Sequence, residues 1–215
     1  MRVKTTIIIF LIFIATSCFA ANDYLGGTFF GTEEKNSISF VKLDNNGDVY
    51  VTGKIGSINL TNIDGFNTNF NSSSETLVFI AKFDKDLKNL KAFTYLGDSY
   101  SWPYDFKIGK NGDVYIVIKS FDLGLNSNVK GYDTNYTKSG QMLVRLSSDL
   151  KNIKNYTYLY NIADIESFTF NNSGDIVLTG YKYTVDNHTG LINYEVFIGI
   201  ISSDLTQLKK RFDSQ

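Results

Sequence analysis

The chain has 215 residues, enough for one domain with a sizeable core, and its 43% hydrophobic and 20% charged residues exclude a disordered polymer. A net charge of −1 with no basic stripe argues against nucleic acid as a partner. A single Cys and a single His leave no disulfide framework, no cysteine-based zinc site and no two-histidine metal site, so no metal or cofactor is expected.

In chain order, the first segment reads as a leader. MRVKTTIIIFLIFIATSCFAAND sets Arg2 and Lys4 before an uncharged stretch rich in Ile and Phe, then small residues, the pattern of a secretory signal peptide over residues 1–20. Its apolar core is too short for a comfortable spanning helix. Two processing sites compete. CFA before Ala21 fits cleavage after Ala20. IATSC resembles a bacterial lipobox that would lipidate Cys18, with Ala15 where Leu is usual. Either route predicts an extracytoplasmic chain, secreted, periplasmic or lipid-anchored, and an anchor on Cys18 would be its one membrane attachment. Without Arg2 and Lys4, the basic residues fall from 21 to 19 against 22 acidic ones, a net charge of −3.

Residues 21–215 repeat a phrase three times: NNGDVYVTG (45–53), KNGDVYIVI (110–118) and NSGDIVLTG (172–180). Such a period signals a repeat architecture. Each copy carries four apolar runs of strand length. Copy one holds ISFVKL, DVYVTGK, TLVFIAKF and LKAFTY. Copy two holds PYDFKI, DVYIVIK, QMLVRL and IKNYTYL, and copy three holds IESFTF, DIVLTGY, EVFIGII and LKKRF. First runs alternate, with Val41 and Leu43, Phe106 and Ile108, and Phe168 and Phe170 on one face. In TLVFIAKF both alternating sets are apolar, which predicts a strand covered on both sides. Asn-Gly at 46–47 and 111–112 and Ser-Gly at 173–174 supply the hairpin turns. Asp86-Leu87, Asp149-Leu150 and Asp204-Leu205 mark the turns between third and fourth runs. Each copy is thus a four-stranded antiparallel meander, with blades near 36–97, 98–160 and 161–215. Sheets apolar on both faces need neighbours, and radial stacking in a β-propeller provides them.

DNNGDVYVTG, followed by VFIAKFD and TYLGD, resembles the bacterial SBBP-type β-propeller repeat, and YLGG at 24–27 matches that repeat's last phrase. Copy two departs from it with Ile118 where a Gly falls. The resemblance covers nearly all of the chain after the leader. It implies an extracytoplasmic bacterial protein of several blades, usually without an assigned activity. Propellers close with about 4–8 blades, and here there are three. An open arc, a piece of a longer propeller without independent function, and two copies completing a six-bladed ring all fit that number.

No catalytic constellation is legible. His188 sits alone in the loop VDNHTG. Asp44, Asn46 and Asp48 alternate as calcium ligands do, but Gly109 and Asn171 replace Asp44 in the other copies, so turn geometry explains all three and calcium only one. Asp105, Asp164 and Glu166 lie on or near innermost strands, where a carboxylate pair could serve a glycosidase. DSYSWPYDF (98–106) holds the only Trp and the only Pro, and sets Tyr100, Trp102 and Tyr104 on alternating positions beside Asp105. Such aromatics either stack on a sugar or peptide ligand or cover a seam between blades. These four residues are the candidate ligand site. The leading expectation is a non-enzymatic binding or scaffold module of the bacterial cell envelope, with a protein or carbohydrate ligand. The alternative is a carbohydrate-active enzyme that uses channel carboxylates.

Overall fold

Three tight hairpins set the architecture. Gly47, Gly112 and Gly174 hold φ of 81°, 81° and 82°, a region where only glycine is free of strain. In the computed structural model, residues 27–213 are described except 33–34, 59, 61, 71–75, 121–127 and 186–188. The leader with Cys18, residues 24–26 of YLGG, and His188 lie outside the described residues.

The described residues are all-β and contain no helix. The first sheet comprises β1 (Ser37–Leu43), β2 (Val49–Ile55), β3 (Leu77–Phe83) and β4 (Leu90–Leu96). The second comprises β5 (Trp102–Ile108), β6 (Val114–Ser120), β7 (Gly140–Leu146) and β8 (Ile153–Tyr158). The third comprises β9 (Asp164–Phe170), β10 (Ile176–Val185), β11 (Ile192–Ile201) and β12 (Leu208–Asp213). Each sheet is an antiparallel meander in sequence order and none closes into a barrel. They are open, propeller-like blades whose first strands neighbour one another, β1 against β5 and β5 against β9.

Two seams hold the blades together. Tyr50, Val78, Ile80 and Ala92 of blade one pack on Phe106, Ile116, Ile118 and Val144 of blade two. Tyr115, Val117 and Leu143 of blade two pack on Phe168, Ile176, Leu178 and Phe197 of blade three. A tyrosine crosses each seam. The Tyr50 hydroxyl donates to the Ser148 carbonyl at 2.8 Å, and the Tyr115 hydroxyl to the Ser203 carbonyl at 3.0 Å. A cation from the third strand lies over each ring, Lys82 at 4.8 Å from the Tyr50 centroid and Arg145 at 5.7 Å from that of Tyr115. Burial pushes the Tyr115 phenol up to about 12, so it stays a donor at neutral pH.

A second repeated phrase lies in the long connections, GFNTNF (65–70) and GYDTNY (131–136). Each runs beside the fourth strand of its blade. The amides of Phe93 and Tyr95 bond Asp64 and Asn67 carbonyls, and those of Tyr156 and Tyr158 bond Lys130 and Asp133 carbonyls. A Cβ on Gly65 or Gly131 would stand 1.7 Å from a carbonyl oxygen of that strand, so only glycine fits there. Thr94 and Thr157 hydroxyls accept from the amides of Asn67 and Asp133.

Blade three is built differently. Only residues 186–191 separate β10 from β11, which run 10 residues each, and among the described residues no edge phrase covers β12. Val177 and Ile200 occupy the places of the seam tyrosine and its cation. The first-run alternation also has two outcomes. Phe106 and Phe168 are buried against the preceding blade, whereas Val41 and Leu43, which have none, are exposed.

Tyr50→Phe and Tyr115→Phe leave a seam carbonyl without its donor and should each cost about 1 kcal/mol, read as a lower urea midpoint with unchanged slope. Val177→Tyr, at the matching place in blade three, should stay within ~0.5 kcal/mol of the parent.

Candidate functional site

Antiparallel meanders put the Gly-Asp hairpins and the Asp-Leu turns at one end of the blades. The segments entering β1, β5 and β9 lie at the other end with the connections between second and third strands. DSYSWPYDF belongs to this second rim, at the seam between blades one and two.

Its residues are held by their own loop. Asp98 accepts from the Tyr100 amide at 2.9 Å and from the Ser101 hydroxyl at 3.0 Å. Tyr100 projects into solvent, 69% exposed. Trp102 opens β5, 54% exposed, with the Lys54 ammonium 4.4 Å from its ring centroid. The β5–β6 register slips between Pro103 and Asp105, leaving Tyr104 as an extra residue and interrupting the alternation expected of Tyr100, Trp102 and Tyr104. The same slip falls between Ile38 and Phe40 and opposite Thr179 and Gly180, so the bulge is a feature of every innermost strand.

Asp105 turns inward. It is buried and accepts from the Lys107 ammonium at 2.7 Å, the Phe106 amide at 2.7 Å, the Ser167 hydroxyl at 2.8 Å and the Phe168 amide at 2.8 Å. The last two belong to β9, so the carboxylate ties the innermost strands of blades two and three. Burial alone would raise its pKa. The bonds from Lys107, Phe168, Ser167 and Phe106 outweigh burial and hold it below the usual carboxylate range. The structure thus keeps Trp102 and Tyr104 at the surface and places Asp105 among bonds internal to the fold.

The calcium-like loop is likewise occupied by the chain's own donors. Asp44 accepts from the amides of Asn46 and Asp48 and pairs with Lys82 at 3.2 Å, and Asp48 pairs with Lys91 at 2.7 Å. The Gly-Asp aspartate recurs in this role, Asp113 with Lys154 at 2.6 Å and Asp175 with Lys209 at 2.7 Å. Among the described residues, no cluster of three or more His, Cys, Asp or Glu could hold a metal ion.

Two clefts open on the rim that carries Trp102. One, of about 480 Å³, lies between blades two and three and is lined by Tyr160, Asp164, Tyr181, Lys182 and Tyr183 among others. The other, of about 260 Å³, lies between blades one and two and is lined by Lys35, Asn36, Ser37, Lys54, Thr76 and Trp102. Lys54 is 7% exposed. Burial pulls its ammonium below the ordinary lysine value, opposed by the charge of Asp98. Sequence reading found Trp102 but missed Lys54, which looks like an ordinary charged strand end.

Asp105→Asn should destabilise the fold by about 3 kcal/mol, the cost of breaking a buried ion pair. Because the folded pKa is depressed, the Asp105 contribution is complete above the unfolded value of about 3.9 and is lost as pH falls toward the folded one. Parent and variant should therefore converge in thermal stability on acidification, which a melting series from pH 7 to pH 2 checks. No known protein-family model matches this chain, and comparison with curated proteins also finds no match.

Proposed function

We propose that the chain is a non-enzymatic binding and scaffold module of the bacterial cell envelope, built from SBBP-type propeller repeats, and that two copies complete a six-bladed ring. One observation carries the reading. The face of blade three that points away from blade two exposes Tyr194 by 67%, Val196 by 63%, Ile198 by 42% and Phe212 by 58%. In blades one and two the corresponding face is buried by the next blade. At the other end of the arc, Val41 is 58% exposed where its counterparts Phe106 and Phe168 are buried, and Leu43 is 64% exposed where Ile108 and Phe170 are half-buried. The open face of blade three and the exposed innermost strand of blade one are the halves of one seam. Two head-to-tail contacts between two arcs close the ring by two-fold symmetry. An apolar surface of this kind is seldom left in water.

Export is supported by the leader-like residues 1–20, with attachment through Cys18 if the lipobox is used. A non-enzymatic role is supported by Asp105, whose carboxylate is engaged by four donors of the fold.

Light scattering after size exclusion tests the ring on residues 21–215. The expected mass is twice that of one chain at micromolar concentration, and Ile198→Asp should halve it while preserving a cooperative melt. A parent that remains monomeric at tens of micromolar would reject the ring, as would a dimer indifferent to Ile198→Asp.

A further inference from the structure

Lys54 differs from the other well-covered cations of the chain. Lys82 meets Asp44 at 3.2 Å and Asp48 at 3.3 Å, Arg145 meets Asp113 at 2.6 Å, and Lys107 meets Asp105 at 2.7 Å. Lys54 is more deeply covered, yet it forms no ion pair with any described carboxylate. Its contacts are the Ser99 carbonyl at 3.0 Å and the Trp102 ring at 4.4 Å. An ammonium has three N–H donors, and a carbonyl takes one. A cation withdrawn from water with only the charge of Asp98 near it, not bonded to it, is costly, and a bound anion would offset that cost.

The cleft beside it fits that need. Its lining supplies two ammoniums, Lys54 and Lys35, the Trp102 indole and the hydroxyl residues Ser37 and Thr76, beside an Asn36 amide bonded to Thr32, with no acid among them. The repeat makes the missing acid visible. Trp102 pairs with Lys119 at the start of blade two, and Asp164 pairs with Tyr181 at the matching place in blade three. Where blade three puts a carboxylate on its rim, blade two puts an indole. The cleft of about 260 Å³ has one-ring scale, below the roughly 300–1,000 Å³ of drug-sized sites. Apolar ring faces pack on indole, and hydroxyl and amide groups serve sugar hydroxyls.

We infer that this cleft binds an acidic sugar of the uronate class, with its carboxylate at Lys54 and Lys35 and its pyranose ring against Trp102. The site lies within one chain and stands whether or not the ring forms.

Trp102 is the only tryptophan among 14 tyrosines, so emission excited selectively at the red edge, where tyrosine does not absorb, reports on this cleft alone. The purified chain is titrated with sodium D-glucuronate, and with D-glucose and sodium acetate at matched ionic strength. Glucuronate should give a saturable change, glucose none, and acetate a response at least about tenfold weaker. Lys54→Met should weaken glucuronate binding by about tenfold or more, and Lys35→Met, at the rim, by about threefold. If Lys54→Met fails to melt cooperatively, Lys35→Met and the two control ligands decide the matter. Equal responses to glucose and glucuronate would overturn the proposal, as would acetate matching glucuronate or a folded Lys54→Met that binds unchanged. No response to glucuronate would also overturn it, and would turn attention to Glu33, Glu34 and Glu75, which adjoin the lining residues in sequence.

Discussion

The middle strands of each blade send apolar side chains to both sides. In β3, Leu77, Val78, Phe79, Ile80 and Ala81 are all 2% exposed or less. No such sheet can be stable by itself, so one blade becomes the solvent of the next. Blade two, with neighbours on both sides, has the most completely buried strands. Blade one covers the outer part of its open face with its own chain, Phe30, Ile58, Leu60, Ile63 and Phe70 laid against Phe79, Phe93 and Tyr95, and leaves Val41 and Leu43 exposed. Blade three has no such cover among its described residues.

Polar chemistry is arranged around that constraint. The aspartate after each hairpin glycine reaches the fourth strand of its own blade, through Lys91, Lys154 and Lys209, and staples the turn to the blade edge. The tyrosine two residues later works between blades, and it is present only where another blade of the same chain follows. Blade three keeps the staple and loses the tyrosine and its cation. Internal bonding is therefore a property of the repeat, while seam bonding is tuned to position.

The glycine turns, the strand lengths and the two-sided burial of β3 and β7 were legible, because turn chemistry and period-two alternation are local. GFNTNF and GYDTNY passed as polar connections, and their separation from the threonine they meet differs between the copies, 27 residues in one and 24 in the other. Without coordinates nothing shows that Asn67 and Asp133 lie beside Thr94 and Thr157. The bulges left no trace, since the extra residue is Ser39, Tyr104 or Glu166 and no residue type unites them. Trp102 stood out by rarity. Lys54 reaches it across a seam, from 48 positions earlier in the chain, and only the stacking of blades brings the two together.

The turns between third and fourth strands carry a further consequence. Leu87, Leu150 and Leu205 hold φ of 57°, 58° and 59°, the left-handed region, at a cost of about 1–2 kcal/mol for an L-residue with a Cβ. Leu150 and Leu205 are fully buried in the seam with the preceding blade, and that burial, about 1.5–3 kcal/mol for a leucine, offsets the strain. The turn has bonds of its own, such as Leu150 amide to Ser147 carbonyl and Asn152 amide to Ser147 hydroxyl, and the neighbouring blade supplies the burial that offsets its strain. In kinetic terms the hairpin should not nucleate alone. The β7–β8 and β11–β12 turns belong to the docking step, so these leucines should have low φ-values for blade formation and high ones for blade association. The arc is then wired to assemble by templating, each blade completed by the one before it.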